Sequence, residues 1–158
     1  MIVLLNFKFM IIKGIDNQSL ELNVVNYQFP ENLSNKHDAN WLDIEIKVDS
    51  KFGKWQTVDP SLLTFDVVKI IKFLKEVNNG SIDEKALYFL EPNLAIHYQG
   101  NFNGLARLRF CFNAEFKPVG AADSKDYYLD ADFNEQQILN LLSNFEEVLE
   151  NFPIRDVK

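Results

Sequence analysis

Residues 38–64 read DANWLDIEIKVDSKFGKWQTVDPSLLT, and the alternation within them leaves little choice of local structure. Leu42, Ile44, Ile46 and Val48 alternate with Asp43, Glu45, Lys47 and Asp49. An extended chain puts all four aliphatics on one face and all four charges on the other, whereas a helix would scatter them. Ser50-Lys51-Phe52-Gly53 then supplies a turn, and Trp55 to Val58 returns antiparallel. Asp59-Pro60 is expected to end the ladder, because proline has no N–H to donate. A helix follows, with Thr64 as its N-cap, Asp66 in the first turn and Leu63 and Val68 at the two positions of a hydrophobic staple. Val67, Ile70, Ile71, Leu74 and Val77 share one face of it, opposite Lys69, Lys72, Lys75 and Glu76, and Asn78-Asn79-Gly80 stops it.

The flanking chain follows the same logic. Residues Ile2 to Ile12 and Ser19 to Gln28 read as strands joined by Gly14-Ile15-Asp16-Asn17, and Glu31 to His37 as an exposed polar loop. Ala86 to Leu90 and Leu94 to Tyr98 form a hairpin about Glu91-Pro92-Asn93, and Gly100 to Gly104 turns into a strand over Ala106 to Phe116. On that strand Leu108, Phe110, Phe112, Ala114 and Phe116 oppose Arg107, Arg109, Cys111, Asn113 and Glu115. A last strand covers Asp126 to Ala131. The final helix runs from Glu135 to Asn151, with Asn134 and Gln137 as a capping box and Phe133 stapled to Ile138. Its stripe is Ile138, Leu141, Leu142, Phe145, Val148, Leu149 and Phe152, and Pro153 ends it. Antiparallel strands interrupted by two amphipathic helices specify an α+β fold: one large twisted sheet with both helices packed on one face.

With 158 residues, 47% of them hydrophobic and 14 of them Phe, the chain fits a single domain, 1–158, with a full core. One cysteine rules out an internal disulfide and fits a reducing, cytoplasmic setting. No apolar run reaches the ~20 residues of a membrane span. The start, MIVLLNFKFMII, is broken by Lys8 and lacks both a basic n-region and a small-residue cleavage site, so it does not read as a signal peptide. The net charge of −7 is concentrated. Asp123, Asp126, Asp130, Asp132, Glu135, Glu146, Glu147 and Glu150 are opposed only by Lys125, so residues 123–150 alone sum to −7. That segment argues against nucleic acid or an anionic membrane as partner and permits a basic protein; a solvated face that keeps the domain soluble accounts for it equally well.

Catalytic constellations fail on spacing. His97 and Cys111 are the one candidate thiol–imidazole pair. Pairing about Gly100–Gly104 sets His97 opposite Arg107, four residues from Cys111, on the order of 13 Å at ~3.3 Å per residue. Asp130, Asp132 and Asn134 open like a calcium loop, but Glu135 stands where glycine is required and Leu141 where the bidentate carboxylate belongs. Two histidines and one cysteine, scattered, make no zinc site. No catalytic residue, metal or cofactor is therefore expected. Arg107 and Arg109 read either as an anion contact or as cross-strand ion-pair partners of acids such as Glu91. Trp41, opposite Leu42 and Ile44, is an interface anchor if its sheet face is open and core if it is covered.

YQFP at Tyr27–Pro30, ANWLDIEIKV at Ala39–Val48, W-x-x-x-DPSLLT at Trp55–Thr64 and LYFLEPNL at Leu87–Leu94 together resemble the WapI-type immunity proteins, the bacterial antitoxin partners of wall-associated polymorphic toxins. The resemblance spans roughly Met10 to Pro153, which makes Met10 a candidate start. It implies cytoplasmic neutralisation of a cognate toxin by binding, without catalysis, and carries no interface residues with it. The acidic segment adds the expectation that the toxin is basic, as a nuclease would be. The candidate partner-binding residues are then Trp41, Asp130, Asp132, Glu135, Glu146 and Glu147. A small-molecule domain using a concave sheet face, with Trp41 and tyrosines as lining, is the alternative.

Overall fold

A computed structural model describes residues 10–157. The expected strand from Ile2 therefore lies outside the described residues up to Phe9. In chain order the elements are β1 (Met10–Lys13), β2 (Ser19–Tyr27), α1 (Lys36–Asn40), β3 (Trp41–Ser50), β4 (Gly53–Leu63), α2 (Thr64–Asn79), β5 (Ala86–Leu87), β6 (Leu94–Phe102), β7 (Leu105–Phe112), β8 (Tyr127–Phe133) and α3 (Glu135–Asn151), with 3-10 turns at Ile15–Asn17 and Ala114–Phe116. The fold is α+β, as the sequence implies. The strands do not form one sheet, however. They divide into two antiparallel four-stranded meanders, β1-β2-β3-β4 and β5-β6-β7-β8. Pairing is local within each meander, and α2 separates them in the chain.

The division is reinforced where the sheets meet. β4 is an edge strand that runs through Pro60 to Leu63, so the ladder does not end at Asp59-Pro60. Ser61 is bulged out of register between Pro60 and Leu62, and an edge strand tolerates the missing proline N–H. Instead of a fifth strand, β4 meets side-chain bridges. Trp55 Nε1 donates to the Phe116 carbonyl at 2.9 Å, and Asn93 Nδ2 donates to Asp59 Oδ2 at 2.6 Å and Ser61 Oγ at 2.9 Å. On the other side, the β1–β2 corner presses on β8. A Cβ on Gly14 would stand 3.0 Å from Leu129 and 3.1 Å from the Asp130 carbonyl, so only glycine allows that approach.

Both sheets turn their apolar faces to one continuous core shared with α2 and α3, in which Leu42, Ile44, Ile46, Leu108, Phe110, Phe112, Phe116 and Phe145 are inaccessible or nearly so. The helix stripes follow the spacing, except that Leu142 and Leu149 of the expected α3 stripe are only half-buried. Val67, Ile70, Ile71, Leu74 and Val77 are buried on α2, and Ile138, Leu141, Phe145 and Val148 on α3. The α3 capping box forms, with Asn134 and Gln137 exchanging two 2.8 Å bonds. On α2 the cap sits one residue earlier than expected. The Leu63 N–H donates to Asp66 Oδ2 at 2.8 Å, and the staple positions become Leu62 and Val67, both fully buried, while Val68 is exposed. Gly80 closes α2 in the left-handed conformation.

Further boundaries differ from expectation: β5 covers only Ala86–Leu87 of the expected Ala86 to Leu90, and the last strand runs Tyr127–Phe133 rather than Asp126 to Ala131. The polar loop before β3 is exposed, but α1 begins inside it at Lys36, capped by the Asn35 side chain. The strand expected to reach Phe116 stops at Phe112, and the following 3-10 turn drives Phe116 into the core beneath Trp55. The β6–β7 connection contracts from five residues to Asn103-Gly104, both at positive φ (52° and 81°), the pattern of a two-residue type I′ hairpin.

Candidate functional site

With α2 and α3 inside, the outer faces of both sheets are left without a covering helix. On the β5–β8 sheet the register sets Arg107 opposite Asp132 and Arg109 opposite Asp130. Both pairs are bidentate. Arg107 Nε and Nη2 reach the two oxygens of Asp132 at 2.7 and 3.0 Å, and Arg109 does the same to Asp130 at 2.8 and 2.9 Å. Each guanidinium also lies over a ring: Arg107 is 4.3 Å from the centroid of Phe102, and Arg109 is 3.8 Å from that of Tyr128. The Tyr128 hydroxyl in turn accepts from Lys51 Nζ at 2.7 Å. Hydrogen bonding to Arg107 holds the Asp132 carboxyl below the usual carboxylate range. The arginines are thus ion-paired across strands, with Asp130 and Asp132 rather than Glu91, because β7 lies between β6 and β8.

Next to Arg109 sits His97. A register shift between Tyr98 and Gly100 sets it opposite Arg109, with Ala95 opposite Cys111. The expected pairing with Arg107 is therefore wrong by two residues, because the hairpin turns at Asn103-Gly104 rather than across Gly100–Gly104. His97 and Cys111 are diagonal neighbours on one face, a separation of ~7–8 Å rather than 13 Å. Their protonation states still oppose a nucleophilic pair. Burial, and then Arg109, lowers the His97 pKa, and burial raises that of the Cys111 thiol. An activated cysteine needs the reverse of both shifts. The His97 ring meets Tyr88 edge-on at 5.6 Å, and its Nε2 is buried with no hydrogen-bond partner among the described residues.

The lowered His97 pKa has a consequence for stability. Below its ordinary value of 6.5 the unfolded chain takes up a proton that the folded chain resists. Stability should therefore fall as pH drops from 6.5 toward the lower folded-state pKa. His97→Gln should flatten urea-midpoint curves over that interval, and a slope equal to the parent's would place the titration elsewhere.

The acidic candidates do not assemble into one patch. Asp130 and Asp132 are spent on the arginines. Glu135 opens α3, while Glu146 and Glu147 lie eleven and twelve residues further on, roughly 16–18 Å along the axis at ~1.5 Å per residue. Glu135 and Glu146 are exposed and Glu147 half-buried. Trp41 is half-buried at the start of β3, on the outer face of the other sheet, and its backbone closes α1 and bonds Gln28. No group of three or more metal-ligating side chains occurs among the described residues.

The ligand-binding alternative needs an empty concave face, and α2 and α3 fill the inner faces of both sheets. The clefts that remain are open and of mixed polar and apolar lining, Val48 and Trp55 among the lining of the larger. One of about 450 Å³ on the outer face of β2–β4 is lined by Glu21, Lys47, Asp49 and Lys54, and one of about 390 Å³ between β1 and β8 by Lys13, Asp132, Gln137 and Asn140.

The motifs singled out in the sequence sit at junctions. Asn40 is fully buried. Its Nδ2 donates to the carbonyls of Lys36 and Arg155 at 2.8 and 2.9 Å, and its Oδ1 accepts from Thr64 Oγ1 and the Arg155 N–H at 2.7 and 2.8 Å. The Arg155 side chain donates to the carbonyls of Ala39, Pro30 and Phe29 at 2.6, 2.7 and 2.9 Å, and lies 3.9 Å from the Tyr27 ring centroid. YQFP, ANW and the Thr64 end of DPSLLT thus converge on one node, closed by the C-terminal segment. Sequence reasoning missed Arg155, although an arginine just past a terminal helix is the signal that could have found it. The Asp59–Ser61–Asn93 bridge joins DPS to EPN in the same way.

No curated protein matches the chain. A family model described as the immunity protein WapI-like family matches residues 10–153. That span contains the bridge from β4 to Asn93 and the whole Asn40 node except Arg155. The chain belongs to the WapI-like immunity protein family.

Proposed function

We propose that this protein is a non-catalytic immunity protein that neutralises a cognate toxin domain by binding it directly in the cytoplasm. Family membership over residues 10–153 carries the reading. The opposed pKa shifts of His97 and Cys111 support binding without chemistry. No helix among the described residues is long and apolar enough to cross a membrane.

The charge distribution favours a basic toxin. Glu135, Glu146 and Glu147 on α3 form no salt bridge with another described residue, and they add to a chain of net charge −7. Such charges act mainly on encounter, within a Debye length of ~8 Å at physiological ionic strength. The first test is co-purification with any toxin domain encoded directly upstream. Replacing Glu135, Glu146 and Glu147 by glutamine should then slow association severalfold and weaken its salt dependence, while leaving the melting temperature unchanged. Equal association rates at low and high salt for parent and triple variant would reject the acidic-steering element and leave the immunity reading standing. Asp130 and Asp132 are unsuitable for this test, because their amides would also break two ion pairs.

A further inference from the structure

We propose that the toxin is held at the Trp41 end of the outer face of the β1–β4 sheet, with a lysine or arginine side chain of the toxin set between Asp43 and Glu45 and apolar contact on Trp41 and Val58. The proposal rests on the immunity reading and names a surface for it.

The strand register divides this face into two halves of different charge. Toward the β3–β4 turn, the outward rows Glu21–Lys47–Gln56 and Ser19–Asp49–Lys54 carry both signs, and Lys13 stands beside Ser19. Lys54 lies 3.6 Å from Asp49 there. Toward Trp41, the rows Asn26–Asp43–Pro60 and Asn23–Glu45–Val58 carry two carboxylates and no cation. Glu45 accepts from the neutral Gln56 amide at 3.1 Å, and neither Asp43 nor Glu45 forms a salt bridge with another described residue. Burial, and then the charge of Asp59, raise the Asp43 pKa. Ionised Asp43 therefore costs the fold stability at neutral pH, and an opposite charge brought from outside lowers that cost.

Apolar surface surrounds the two carboxylates. Val58 is 50% exposed beside Glu45, and Val25, at the bulge between the Asn23 and Asn26 rows, is 38% exposed. Trp41 stands half-buried in the next row. A tryptophan and aliphatics around a charge without a partner have the make-up of an interface centre. The same positions select the occupant. An apolar partner would bury both carboxylates unpaired. A second copy of this chain, docking through the same patch about a two-fold axis, would set these carboxylates against themselves. A basic side chain is attracted by both, and its aliphatic stem lies along Trp41 and Val58. The α3 carboxylates then act on encounter and this face on residence time.

The experiment is surface-binding kinetics with any toxin domain encoded directly upstream, purified on its own. Asp43→Asn, Val58→Ala and Trp41→Ala are compared with the parent, with Lys54→Gln near the β3–β4 turn and with Tyr88→Ala on the other sheet. The expected result is dissociation about tenfold faster or more for Asp43→Asn and Trp41→Ala, about threefold faster for Val58→Ala, and parental for Lys54→Gln and Tyr88→Ala. Asp43→Asn should also keep or raise the melting temperature, which loss of a structural contact would not do. Parental dissociation rates for both Asp43→Asn and Val58→Ala would overturn the assignment of this face and leave the immunity reading intact. A toxin-free dimer that Val58→Ala makes monomeric would overturn it too, by giving the face to a second copy. Failure of the parent to bind any such domain would instead sink the immunity reading, and the proposal with it. If Trp41→Ala proves poorly folded, the other two variants decide, because neither side chain is part of the core.

Discussion

Asn40→Ala is expected to destabilise the protein by about 3–5 kcal/mol, measured as a shift in the urea midpoint. The magnitude follows from what the side chain leaves behind. Four bonds are lost, stranding the buried Thr64 hydroxyl and the part-buried Arg155 N–H and carbonyls of Lys36 and Arg155. Each lost bond is worth roughly 0.5–1.5 kcal/mol net, and more where the partner cannot reach water. Asn40→Asp should fare little better despite its near-identical size. A carboxylate can still accept from Thr64 and Arg155, but it then points oxygen at two carbonyls that need a donor. Near-parental stability of either variant would mean that water replaces the amide and that the node is not structural. Arg155→Ala in the same background should add much less than it costs alone, since both residues serve one network.

Leu74→Ala should cost roughly 2–5 kcal/mol, the range for truncating a buried leucine. Leu74 is 1% exposed on the face of α2 that meets the shared core. The upper half of the range applies if the neighbouring Phe and Ile side chains cannot close over the gap, and a core filled with stiff aromatic rings relaxes poorly. An unchanged urea midpoint would show that this face of α2 is not packed.

Much of the fold was legible in the sequence because helices and strands with one wet face declare it in their period. The α2 and α3 stripes and the β3 alternation are local patterns that survive any tertiary arrangement. What escaped was decided by non-local contacts. The bulges at Ser61 and next to Tyr98 are single-residue slips, chosen because β4 must meet Asn93 and because β6 must continue to a two-residue turn. The tighter turn at Asn103-Gly104, and not the slip next to Tyr98, brought His97 two residues nearer Cys111. The partition into two sheets depends on where β4 and β8 end up relative to Phe116 and Gly14. Of the acidic candidates, Asp130 and Asp132 read as free charge only because the strand that pairs with β7 on its second side could not be named from spacing.

The placement of the family-like motifs bears on how such a protein can change. Tyr27, Asn40, Thr64, Asp59, Ser61 and Asn93 point into joints, while outer-face positions such as Glu45, Gln56, His97 and Arg107 alternate with core residues along the same strands. Strand geometry therefore separates two vocabularies within one stretch of chain: every second residue keeps the core, and the residues between answer to their cross-strand partners and change together with them. Two chains sharing the joints need not protect against the same toxin. Exchanging the outward positions of each sheet in turn between two such proteins would show which of them carries recognition.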